Sequence, residues 1–114
     1  MSKQLEDRFE RFALDVRDFC KEIKWDIINI QYIRQVVRLS SSIAANYIEA
    51  SDDLGKQDEK MKIKISRREA KETIYWLGLV LLYGDKNLEF KQSKLIDEGN
   101  QIRKILSAIL IKLN

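Results

Sequence analysis

Apolar residues recur along most of this chain at intervals of three and four, the repeat of one face of an α-helix. In the first segment Leu5, Phe9, Phe12, Val16, Phe19 and Ile23 form such a stripe, widened by Ala13 and Cys20. Glu6, Asp7, Glu10, Arg11, Arg17, Asp18 and Lys21 fall on the opposite side. The last segment repeats the pattern with Leu95, Gly99, Ile102, Leu106, Ile109 and Leu113, flanked by Ile105 and Leu110. Two further helices are expected between them. The earlier one starts near Asp26 or Asn29, either of which can cap free backbone N–H groups, and between Ile27 and Ala50 its charges are Arg34, Arg38 and Glu49. Its apolar residues occupy two faces, with Ile30, Ile33, Val37 and Ala44 on one and Val36, Leu39, Ile43 and Ala50 near another. Such a helix is expected to pack on more than one side, its outer neighbour being a second subunit. The later one runs from about Lys56 through the uncharged stretch Ile74 to Tyr83, whose lack of charge predicts burial nearly all round.

Asp52, Asp53 and Gly55 break the pattern once, and Gly84, Asp85 and Asn87 break it again. The expected architecture is all-α, one domain over residues 1–114 with helices at about 3–23, 27–51, 56–83 and 88–113. Short connections make sequential helices antiparallel, giving an up-down-up-down four-helix bundle. Composition agrees: the chain has no proline and only 4 glycines, so nothing interrupts long helices.

The absence of histidine excludes more than it suggests. With one thiol and no imidazole the chain cannot build a Ser-His-Asp or Cys-His nucleophile system, a His-containing zinc site or a Glu-x-x-His di-iron bundle. These chemistries are excluded, and no cofactor or small-molecule substrate is evident from the residues. Carboxylates alone suit magnesium or calcium, and Glu69 with Glu72 at i, i+3 or Glu49 with Asp52 and Asp53 are the places to look. None has the alternating acidic spacing of a calcium loop, so no metal is expected. The single Cys20 fits a reducing, cytoplasmic setting and reads as a small core residue. The longest near-apolar run, Ile74 to Tyr83, falls far short of a membrane span.

Charge is unevenly spread. Residues 1–53 carry 8 basic and 10 acidic groups, whereas residues 54–114 carry 13 basic and 8 acidic. Within the third helix Lys60, Lys64, Arg67, Arg68 and Lys71 lie three or four apart, along one side, where they could follow a phosphate backbone or form a solvated face. No base-reading motif accompanies them. Trp25, Tyr75, Trp76 and Tyr83 could stack on bases, although Tyr75 and Trp76 sit in the uncharged stretch and read as core or interface. In the second helix Ser40, Ser41, Ser42, Ala44, Ala45 and Asn46 form a small-residue patch, with Ser66, Ala70 and Thr73 as facing positions on the third. Arg38, Asn46, Glu49, Glu69 and Glu72 lie near these patches and read as a structural polar network between the two helices.

Two segments carry a family resemblance: Gln35 and Arg38 followed by Ser40 to Asn46 and Glu49-Ala50, and Glu69-x-x-Glu72-Thr73-x-x-Trp76-Leu77. Together they resemble the four-helix bundle family that includes the proteins encoded in intervening sequences of bacterial 23S rRNA genes. At Leu39 and Ala44 many members have Ser and Gly, a departure that bears on local packing. The resemblance implies a homopentamer of four-helix bundles, no catalysis and a link to rRNA, with Arg38, Asn46, Glu49, Glu69 and Glu72 as structural or interface positions. RNA bound through the basic half of the third helix is then the expected ligand. A protein-interaction scaffold with no nucleic-acid ligand is the alternative.

Overall fold

Ser2 and Asp85 open the first and last helices by the same device, accepting through their side chains the amides of Leu5 at 3.2 Å and Leu88 at 3.0 Å. The computed structural model describes residues 2–114, in which the helices are α1 (Lys3–Glu22), α2 (Asn29–Glu49), α3 (Lys56–Leu77) and α4 (Lys86–Leu113). Asp26 serves α2, its Oδ1 accepting from the amides of Ile28 at 3.1 Å and Asn29 at 2.7 Å. The helices pack in ring order, α1 on α2, α2 on α3, α3 on α4 and α4 on α1, with no backbone approach across either diagonal. Side-chain contacts set their directions. Asn29 at the start of α2 meets Leu81 beyond the end of α3, and Glu49 at the end of α2 meets Lys62 near the start of α3. Gln92 early in α4 likewise meets Leu77, while Ser107 late in α4 meets Arg67. These pairs run in opposite directions, as short connections require.

The predicted stripes fill the centre. Phe9, Phe12, Val16 and Phe19 from α1 meet Val36, Ile43 and Tyr47 from α2, Ile63 and Leu77 from α3, and Ile102 and Leu106 from α4. Phe9 and Tyr47 pack edge to face at 5.0 Å. Small residues bring α2 and α3 close: Ser40 and Ala44 are buried on one helix, Ser66, Ala70 and Thr73 on the other, and the Ser66 hydroxyl donates to the Ile43 carbonyl at 2.8 Å. Gly99 does the same for α4, since a Cβ there would lie 2.8 Å from Ile74 Cγ1 and 3.5 Å from Phe12 Cζ. Burial pushes the Cys20 thiol up to about 11, so it is protonated at neutral pH and behaves as a small core residue.

α2 packs on two sides as expected, and the course of α3 is corrected. Most of both apolar faces of α2 is covered inside one chain, because α1 and α3 flank it: Ile33, Val36, Leu39, Ile43, Ala44 and Ala50 are all buried. What remains outside is Ile27, Ile28, Val37 at 37% exposure and Ile48 at 46%. The third helix stops at Leu77, six residues before Tyr83, and Tyr75 is 61% exposed where burial was expected. The ladder already tightens at Leu79, whose amide donates to the Trp76 carbonyl at 3.0 Å, and side chains then hold the chain off the helical path. Continuation of α3 would bond the Leu81 amide to the Leu77 carbonyl, but the Leu77 carbonyl accepts from Gln92 Nε2 at 2.8 Å and the Leu81 amide donates to Asn29 Oδ1 at 2.8 Å. Asn29, fully buried, returns its Nδ2 to the Leu81 carbonyl at 2.9 Å and to the Lys24 carbonyl at 3.0 Å. Tyr83 and Gly84 then turn the chain in left-handed conformations, at φ 53° and 78°. α4, at 28 residues, is the longest helix, a place expected for α3.

Asn29→Ala would leave those backbone groups without their partners, so it should lower unfolding free energy by about 3 kcal/mol. Hydrogen exchange at the Leu81 amide should quicken as well. A urea midpoint indistinguishable from wild type, with Leu81 still protected, would refute the clamp.

Candidate nucleic-acid interface

The helical repeat of α3 carries Lys64, Arg67, Arg68 and Lys71 onto the side that approaches α4. Arg103 and Ser107 of α4 complete a surface groove of about 400 Å³ with them, and Arg67 reaches across to Ser107 Oγ at 3.4 Å. No carboxylate lines it. Ion pairs of the described residues form elsewhere, as at Arg8–Glu98, Lys62–Glu49 and Lys91–Glu22, and none includes a groove cation. Five like charges without counter-ions in one concavity create a positive potential that an anion with several charges relieves best. The arginines add forked donors suited to phosphate oxygens.

Of the five basic positions predicted from sequence, four line the groove. Lys60 is half-buried one turn earlier on α3 and lies outside it. Arg103 and Ser107 were not singled out: they flank the apolar stripe of α4, and the stripe alone does not reveal which neighbour a flank faces. Tyr75 stands four residues beyond Lys71, on the same side of α3. Its ring packs against Trp76 at 5.3 Å, and Trp76 in turn lies 6.0 Å from Tyr32.

The other flank of α3 faces α2 and is a polar seam. Asn46 Nδ2 donates to Glu69 Oε1 at 2.7 Å and to its own helix at the Ser42 carbonyl at 3.2 Å. Lys62 Nζ reaches Glu49 Oε2 at 3.2 Å. Arg38 is exposed and donates within α2 to Gln35 Oε1 at 2.8 Å, while Glu72 is half-buried with no side-chain hydrogen bond among the described residues. The structure thus joins Asn46 to Glu69 directly and leaves Arg38 and Glu72 to act on Glu69 through space. Among the described residues no group of three or more His, Cys, Asp or Glu side chains converges to hold a metal ion. No helix there is long and apolar enough to cross a membrane.

Fold and surface together define a four-helix bundle protein whose concentrated exposed chemistry is a cationic groove. The chain belongs to the 23S rRNA-intervening sequence protein family, which matches residues 5–108. It is also similar to a crystal structure of a protein of unknown function from the S23 ribosomal protein family of Bacteroides thetaiotaomicron VPI-5482. The two share 28% identity over 92% of this chain and 96% of the other, with a TM-score of 0.78. No curated protein matches the chain.

Burial holds the Glu69 carboxyl above its ordinary range, with the Asn46 amide, Arg38 and Arg68 drawing it down and Glu72 raising it. A raised carboxyl pKa in the folded state means that ionisation opposes folding. Its contribution is most favourable below the ordinary glutamate value of about 4.3 and is lost as pH rises through the raised one. Glu69→Gln keeps an acceptor for Asn46 and removes the ionisation. Its urea midpoint should therefore gain on wild type as pH rises from the ordinary glutamate value of about 4.3 through the raised one; a pH-independent difference would contradict this.

Proposed function

We propose that this chain is a non-enzymatic, self-associating bundle of the cytoplasm that binds structured RNA, holding the phosphate backbone in the α3–α4 groove. One observation carries the reading: five cations from two helices share a groove that no carboxylate enters and make no ion pair elsewhere. Family membership favours RNA over other polyanions, since the family takes its description from sequences that interrupt 23S rRNA. Recognition is led by backbone and shape, because phosphate contacts position a protein on nucleic acid without reading its sequence. Self-association is supported by the apolar residues that α2 leaves outside, Val37 and Ile48 with exposed Ala45 between them. A cyclic pentamer is the form that the family resemblance implies.

The groove reading is tested by titrating a labelled, structured RNA at two salt concentrations. Arg67→Glu with Lys71→Glu should weaken binding at least about tenfold at low salt and flatten the salt dependence, because each lost phosphate contact removes close to one released counter-ion. Lys60→Glu, outside the groove, should have the smaller effect. Equal affinities with equal slopes would remove the hypothesis.

Self-association is tested by light scattering at micromolar concentration. An oligomer is expected, with Val37→Glu and Ile48→Glu together shifting it toward monomer; a monodisperse wild-type monomer would end that part of the reading.

A scaffold that recruits a protein is the second reading. The exposed apolar end formed by Trp25, Ile27, Leu81 and Tyr83 favours it. A partner that survives nuclease treatment in a pull-down, where RNA does not, would support it over RNA.

A further inference from the structure

Exposed aromatic side chains sit at several places on the bundle, and most are already engaged. Tyr83 gives its hydroxyl to Asp26 and has Lys24 Nζ 5.2 Å from its ring centre, while Phe90 has Lys94 Nζ at the same distance. Trp25 is tied down at the loop end, its indole N–H donating to the Cys20 carbonyl at 3.0 Å. Tyr75 differs from all three. At 61% it is as exposed as they are, but no hydrogen bond or cation engages it among the described residues, and it occupies the helical position that continues the row of Lys64, Arg68 and Lys71. A rise of 1.5 Å per residue puts Tyr75 about 6 Å beyond Lys71 along the axis and about 16 Å beyond Lys64.

Its ring is also held. Tyr75 packs edge to face on Trp76, with an interplanar angle of 75°, and Trp76 packs on Tyr32 and against the core. An aromatic ring braced in this way loses little conformational freedom when a flat partner lies on it. Cations that follow a backbone, ending in a braced and open aromatic ring, are the two parts of a site for unpaired nucleotides. A duplex keeps its bases stacked inside and offers such a ring nothing, so it would engage the cations alone.

We infer that Tyr75 is a base-stacking platform at the end of the groove, and that the ligand of the site is RNA with an unpaired nucleotide beside its bound phosphates. The inference rests on the reading of the groove as an RNA site and adds which state of the strand it selects.

Three labelled ligands test it by fluorescence anisotropy at one salt concentration: a mixed-sequence single-stranded RNA, the same strand in a perfect duplex, and an abasic strand of equal length. Wild type should bind the single strand most tightly. Tyr75→Ala should lose about tenfold on the single strand and almost nothing on the duplex or the abasic strand, whereas Tyr75→Phe should behave as wild type. Circular dichroism should show Tyr75→Phe melting as wild type and Tyr75→Ala still fully folded at the assay temperature, its melt lowered only by the lost contact with Trp76. A uniform loss across the three ligands, or no loss on the single strand, would overturn the stacking role while leaving the groove reading in place. Failure of wild type to bind any of the three would overturn both.

Discussion

Asn29 is the constraint on which the rest of the arrangement turns. A carboxamide has one acceptor oxygen and two donor hydrogens, and this one directs all of them to backbone groups of two different connections. By taking the Leu81 amide it keeps the chain beyond Leu77 from rejoining the α3 ladder. The Leu77 carbonyl is thereby free to accept from Gln92, a residue of α4. That bond fixes α4 axially against α3, and the register so fixed places Arg103 and Ser107 opposite Arg67 and Lys71. A buried amide at one end of the bundle thus helps to set the shape of a groove well along its length.

α3 is the other organising element, since its two flanks carry opposite chemistry. Its buried stripe is narrow and largely small, with Ser66, Ala70 and Thr73 between Ile63 and Leu77, so α2 can come close enough for a serine hydroxyl to reach a helical carbonyl. Close approach leaves the next side chains outward to meet at the seam, where Asn46 satisfies Glu69. On the opposite flank the cations gather without carboxylates. Arg68 alone spans the two environments, lining the groove while lowering the proton affinity of Glu69.

Periodicity in the sequence was enough to place four helices and the face that each buries, because hydrophobic burial follows the 3.6-residue repeat directly. The small-residue contact between α2 and α3 was legible for the same reason. The end of α3 was not. Uncharged residues from Leu79 to Leu82 look alike whether they continue a helix or form a connection over the bundle end, and the deciding partner, Asn29, lies about fifty residues away. The two apolar faces of α2 were visible, but which neighbour covers each depends on packing order. Four of the groove's cations could be read from α3 alone, whereas Arg103 and Ser107 required knowing how α4 lies against it.

The ring order of the helices turns the uneven charge of the chain into a direction in space. α1 and α2 form one edge of the bundle and α3 and α4 the opposite edge, so the half of the sequence with net charge −2 faces away from the half with net charge +5. The molecule is an electric dipole across its short dimension, near 20 Å, about two and a half times the screening length at physiological ionic strength. A polyanion close to the cationic edge therefore feels little of the acidic one, and a molecule approaching in the wrong orientation experiences a torque before contact. The two edges thus meet a polyanion with opposite sign, the α3–α4 edge attracting it and the α1–α2 edge repelling it.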